Sequence, residues 1–209
     1  MEGQPLIAQL RELMPPHDGA GDSVDWQEAE RVWGVTFPQD YKEFVATYGE
    51  GEVDAFLTFL VPEWAEIPVP SGAMAQETAV ARRIWLEDPP AGHGSLATPP
   101  VIAWGVSARA DLLCWVIGEQ DPGLWPVAVW SRGANAWHVH DCGMLEYLVR
   151  LFRGEFDNMW ADDRPRRFVH VREAQRLLAA GIDPDTGEPN PYAGMFGFGP
   201  PSPGSTQGN

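Results

Sequence analysis

Trp137-His138-Val139-His140-Asp141-Cys142 brings two histidines, an acid and a thiol into one short run. In an extended strand the histidines, at i and i+2, share a face, which is how a transition-metal site can begin. Zinc needs three or four convergent ligands, and His17, His93 and His170 are the only other histidines in the chain. Asp141 is also placed to cap a helix that starts just after it, a common use of aspartate. The preferred reading is therefore a solvent-facing strand edge followed by an Asp141 cap, with no metal. The alternative is a metal-dependent enzyme built on His138, His140 and Asp141. Cys114 and Cys142 are too few for a disulfide framework, and their spacing matches no zinc motif. Cys114 lies in an apolar run, where a free thiol behaves as a small buried hydrophobe rather than a nucleophile. Asp183-Pro184-Asp185-Thr186-Gly187-Glu188 lacks the spacing of a calcium-binding loop and reads as turn chemistry. The sequence contains neither a phosphate-binding loop nor a serine nucleophile elbow, so no catalytic residue, metal or cofactor is expected.

Carboxylates suggest a different chemistry. Glu50, Glu52 and Asp54 form an acidic run beside a glycine turn, and Glu63, Glu66, Glu87 and Asp88 add negative charge around Trp64 and Trp85. Composition favours an ordinary solvated face. The functional account of the same residues is a partner-binding surface, with carboxylates rimming aromatic anchors that receive a basic protein. The chain has 30 acidic and 14 basic residues, a formal net charge of -16, which repels phosphate backbones and anionic lipid. Nucleic acid and membrane are thus disfavoured as direct partners, whereas encounter with a basic protein is accelerated.

The elements that position these residues follow from periodicity. Leu6, Ile7, Leu10 and Leu13 predict a short amphipathic helix ended by Pro15-Pro16, and Val24 to Trp33 a second with a Trp26, Ala29, Val32, Trp33 stripe. Thr36 and Gln39 stand at capping-box spacing before a third helix that buries Tyr41, Phe44, Val45 and Tyr48. Gly49 and Gly51 bracket its exit, where left-handed backbone suits glycine. Short strands are predicted at 52–54 and 55–61, a helix at 73–87, and a meander from Val101–Trp104, Leu112–Ile117 and Trp125–Trp130, extended by Trp137–His140. Leu145, Leu148, Leu151 and Phe152 mark a core helix from 143 to 153, and a further helix fits 171–180. At 209 residues this describes one α+β domain, a small antiparallel or mixed sheet flanked by helices. Its expected divisions are an N-terminal helix and linker (1–23), the domain (24–156), a helical extension (157–182) and a disordered Pro/Gly-rich tail (183–209). The N-terminus lacks a basic region followed by a long apolar one, and no apolar run could span a bilayer. A soluble protein of a reduced cytoplasm is expected.

Trp26 to Trp33 followed by Gly34-Val35-Thr36-Phe37-Pro38-Gln39-Asp40-Tyr41, the Tyr48-Gly49-Glu50-Gly51 turn, Ile102-Ala103-Trp104-Gly105 and Asp111-Leu112-Leu113-Cys114-Trp115 occur in one order. In these words the chain resembles the SUKH superfamily, which includes fungal cell-wall regulators and bacterial immunity proteins. The resemblance covers about residues 24 to 154, leaving out the leading helix, the 63–99 segment and the C-terminal extension. It implies a fold with no known catalytic residues that binds another protein, most often a toxin that it neutralises. A regulatory or scaffold domain without a toxin partner is the alternative.

Overall fold

After Tyr48 the sequence period changes from apolar residues every third or fourth position to apolar runs bounded by turn residues, and there the chain passes from helices to sheet. The computed structural model describes residues 4–64, 69–92, 99–118, 121–156 and 164–191. Helices α1 (Leu6–Leu13), α2 (Trp26–Trp33) and α3 (Gln39–Thr47) come first, followed by strands β1 (Gly51–Val53), β2 (Leu57–Phe59), β3 (Glu63–Trp64) and β4 (Pro70–Ser71). Helix α4 (Gly72–Glu87) precedes β5 (Val101–Ser107), β6 (Leu112–Val116), β7 (Val127–Ser131) and β8 (Ala136–His140). Helix α5 (Met144–Phe152), β9 (Phe168–His170) and α6 (Val171–Ala179) close the series.

Seven strands form one antiparallel sheet in the order β8-β7-β6-β5-β2-β1-β9, while β3 and β4 pair separately. The protein is thus the expected α+β fold, with a larger sheet than the sequence suggested. Register decides which side chains share a face. Cys114 pairs with Ala128, and Leu112 with Trp130, which pairs with Trp137. This face lies under α4, whose Trp85 ring is 5.0 Å from that of Trp137. On the other face, Trp115 meets Tyr41 of α3 at 4.8 Å and Phe59 meets Phe44 at 4.5 Å. Tyr147 of α5 and Trp104 also pack there. Buried on both faces, β5 and β6 lack the polar alternation of a half-exposed strand and read as continuous apolar runs.

Caps depart from the sequence reading at two helices. The first residue of α3 follows Pro38, and no side chain caps it. Glu30 instead accepts the Phe37 N–H at 3.1 Å and pairs with Lys42 at 2.6 Å, so the Thr36–Gln39 box does not form. Asp141 does not cap α5. That role falls to Asp40, whose carboxylate accepts the Leu145 N–H at 3.1 Å from across the core. Burial pushes the Asp40 pKa up, while backbone N–H groups oppose the shift.

Strand β9 comes from the segment expected to be only a helical extension. Its His170 is fully buried and holds three segments together. Its backbone N–H donates to His17 Nε2 at 3.1 Å, its Nδ1 accepts the Arg172 N–H at 3.0 Å, and its Nε2 lies 3.1 Å from both Asp22 oxygens. This pattern assigns the neutral ring, with the proton on Nε2 and donated to Asp22. Arg172 also binds the Asp22 carboxylate. Burial works against that carboxylate, but the Glu50 N–H, Arg172 and His170 hold its pKa below the ordinary value. The glycines of the Tyr48-Gly49-Glu50-Gly51 turn fit around this junction. Gly49 has φ +74°, and a Cβ there would lie 2.4 Å from Asp22 Oδ2. Gly51 needs space rather than a special φ, because a Cβ would lie 2.5 Å from the Val169 carbonyl oxygen.

Burial lowers the His170 pKa below 6.5, outweighing the opposing effect of Asp22. A histidine kept neutral in this way contributes stability above its unfolded pKa, and loses it as pH falls through the unfolded and then the folded value. His170→Asn keeps an acceptor for the Arg172 N–H but does not titrate. The urea midpoint of the wild type should therefore exceed that of H170N at pH 8, and the gap should narrow on acidification below about pH 6.5. A gap constant down to pH 5 would contradict this account.

Candidate protein-binding surfaces

The structure disperses the acidic residues that the sequence suggested might form one rim. Glu50 and Glu52 stand at the start of β1. Burial raises the Glu50 pKa, as do the nearby charges of Glu63 and Asp22. Burial and then Asp185 raise that of Glu52, whose carboxylate accepts a 3.3 Å hydrogen bond from Thr58. Glu63 and Trp64 form β3, and the Glu63 carboxylate lies over Gly72, where a Cβ would be 2.3 Å from it. It thus sits at the N-terminus of α4, which the helix dipole favours for negative charge. Glu87 and Asp88 are exposed at the opposite end of α4, roughly 22 Å away at 1.5 Å per residue. Glu66 lies outside the described residues.

Two members of that set are corrections. Trp85 is fully buried against Trp137, so it is a core residue and cannot anchor a partner. Its helical spacing from Met74, Thr78 and Ala81, all buried, was the signal for this in the sequence. Asp54 is already engaged within the chain. It and Ala55 adopt positive φ, 51° and 52°, in the turn between β1 and β2, closed by the Phe56 N–H to Val53 carbonyl bond at 3.0 Å. That conformation is strained for alanine. Asp54 fixes the turn by accepting the Arg167 N–H at 2.9 Å and Arg164 Nη2 at 3.2 Å, with the buried Arg166 guanidinium 3.5 Å away.

The histidine run occupies the free edge of the sheet. His138 is exposed, whereas His140 packs against the stacked rings of Tyr147 and Phe156 at 5.0 and 4.5 Å, and burial lowers its pKa. Asp141 is exposed. Among the described residues no group of three or more His, Cys, Asp or Glu could hold a metal ion. Burial pushes the Cys114 thiol up, away from the thiolate form. A groove of about 460 Å³ beneath this edge is lined by Leu57, Leu113, Val129, His138, Tyr147 and Phe156. A second, of about 500 Å³, runs along the outer side of α4.

Charge is unevenly used. Arg31, Lys42, Arg150, Arg164, Arg166, Arg172 and Arg176 all lie within ion-pair distance of the chain's own carboxylates. With fewer than half as many basic as acidic residues, these pairs leave a surplus of carboxylates facing solvent. Among the described residues no helix is long and apolar enough to cross a membrane.

The geometry is that of an α+β domain, an antiparallel sheet flanked by helices, and its acidic residues outnumber its basic ones. A family model described as SUKH_6, SMI1-KNR4 cell-wall, matches residues 24–148, more than half of the 209 residues, and the chain belongs to that family. Comparisons with curated proteins and with solved structures gave no match. Members of the family typically act through protein–protein interaction.

Removing a carboxylate that fixes the turn should differ sharply from removing one that faces solvent. Asp54→Ala is expected to lower unfolding free energy by on the order of 3 kcal/mol, because it leaves a buried guanidinium beside a strained turn. Glu87→Gln should change it by less than about 0.5 kcal/mol. Urea denaturation of the two variants checks both, and comparable losses would remove the distinction between structural and surface acids.

Proposed function

We propose that this chain is an immunity-type binding module that neutralises a cognate toxin, a basic nuclease being the best electrostatic match, by forming a tight complex in the cytoplasm. On this reading it binds without transforming a substrate, and occlusion or distortion of the toxin's active site is the mechanism. The observation that carries the proposal is the surplus of carboxylates over cations on a domain of this family, in which seven of the 14 basic residues are moreover committed to internal pairs. Such a field raises the encounter rate with a cationic protein and suppresses acidic competitors. Glu50, Glu52 and Glu63 are the part of the expected set that remains coherent, since the first and last sense each other's charge. A specific complex needs about 1,200 to 2,000 Å² of buried surface in total, which one face of this domain can supply.

The words cell-wall in the family description favour a second reading, a regulatory or scaffold domain with no toxin partner. Coexpression with the protein encoded beside this chain separates the two. The toxin reading expects protection of the host cell and a stoichiometric complex whose association rate falls as salt rises. Charge reversal at Glu52 and Glu63 should slow association by about tenfold with little change in the dissociation rate. Toxicity that persists on coexpression, with no complex formed, would overturn the toxin reading.

A further inference from the structure

Helix α4 presents Ala75, Ala79, Arg82, Arg83 and Leu86 to the groove of about 500 Å³, with Trp33 of α2 on its far wall. The spacing i, i+4, i+7, i+8 and i+11 puts these side chains on one stripe. The alanines keep the floor shallow, and Leu86, at the end of the stripe, is 48% exposed. Two guanidinium groups face this apolar surface, and among the described residues neither has a carboxylate within ion-pair distance. Arg82 is half-buried and uses only Nε, donating to the Val101 carbonyl at 3.1 Å. Burial lowers its pKa with no anion to oppose the shift.

In a chain with 30 carboxylates, a half-buried cation without a counter-charge needs a physical reason. Desolvating a guanidinium is costly, and seven other cations of this chain have found an internal acid. A carboxylate arriving with an occupant would supply the missing partner, in the planar two-pronged geometry that arginine favours. From Ala75 to Leu86 the stripe runs roughly 16 Å at 1.5 Å per residue, which matches about five residues of extended chain. Apolar side chains of such a segment would rest on the alanines, Leu86 and the Trp33 indole.

We propose that this groove docks an extended acidic-apolar segment of a partner protein, its carboxylates bound by Arg82 and Arg83 and its apolar side chains laid along α4. The site does not rest on the toxin reading, because its charge is opposite to that of the chain as a whole, and it would serve a regulatory partner equally.

The full chain is titrated with acetyl-Leu-Glu-Leu-Glu-Leu-amide, with its Gln counterpart and with 4-phenylbutyrate. Binding is followed by the methyl resonances of Ala75 and Ala79 and the Nε–Hε resonance of Arg82. The Glu peptide is expected to shift these signals saturably and to bind at least about tenfold more tightly than the Gln peptide, the difference that one charge-assisted pair makes. Arg83→Gln, at an exposed position, should weaken the Glu peptide by a similar factor and leave the circular dichroism spectrum unchanged. Arg82→Lys, which keeps the charge but not the fork, should weaken it less than Arg82→Gln. Arg132→Gln, at an exposed cation outside the groove, should have no effect. Equal affinity for the two peptides, shifts centred elsewhere, or binding unaffected by Arg83→Gln would overturn the proposal. Binding of 4-phenylbutyrate at these residues without binding of the Glu peptide would also overturn it, in favour of a small-acid site.

Discussion

Double-sided burial of β5 and β6 is the constraint from which the remaining architecture follows. A strand with both faces covered has no room for a polar side chain, so every polar function must sit at a sheet end, an edge or the outer side of a helix. Covering one face takes α4 alone; the other takes α3 and α5, with α1 packed against both. The large indoles of Trp104 and Trp115 fill the space between layers, in tilted or edge-on contact with each other, with Tyr41 and with Tyr147. Among the described residues their N–H groups meet no hydrogen-bond acceptor. The core accepts that penalty for aromatic area, which is the larger favourable term for groups of this size.

Elements with a strong period were legible in the sequence. The stripes of α2, α3 and α5 and the apolar runs of β5 to β7 lie where the pattern put them, because burial imposes the pattern directly. Strand β9 escaped because three residues carry no period, and nothing local distinguishes Phe168–His170 from a linker. Trp85 shows a different failure. Its acidic neighbours Glu87 and Asp88 suggested an interface, yet they are exposed at the end of the helix, while the residues at helical spacing before Trp85 (Met74, Thr78 and Ala81) are buried with it. Helical spacing was the better guide than local composition.

Long-range ties account for most of what the sequence concealed. Asp40 caps a helix 105 positions away, Asp54 fastens a segment 113 positions on, and Asp22 meets His170 across 148. Each of these acids counts equally in a net charge, but only the structure separates those that hold the fold from those free to meet a partner. The same holds for residues 183–191, expected to belong to a disordered tail. They form an ordered turn in which Asp183 accepts the Asp185 N–H at 2.8 Å, and Arg167 binds the Asp185 carbonyl.

These ties also change the role of the segments outside the matched family region. Residues 24–148 end within α5, and both α1 and β9 lie beyond them. Strand β9 nevertheless supplies the seventh strand and closes the β1 edge, while α1 is joined to the core by the Tyr48 hydroxyl donating to the Met14 carbonyl at 2.7 Å. Arg166 adds a 2.7 Å bond from its N–H to the Leu13 carbonyl, linking the two additions to each other. The leading helix and the extension therefore complete the domain. The surfaces that such closure does not consume are the β1 to β3 region with Glu50 and Glu63, the open β8 edge, and the outer stripe of α4.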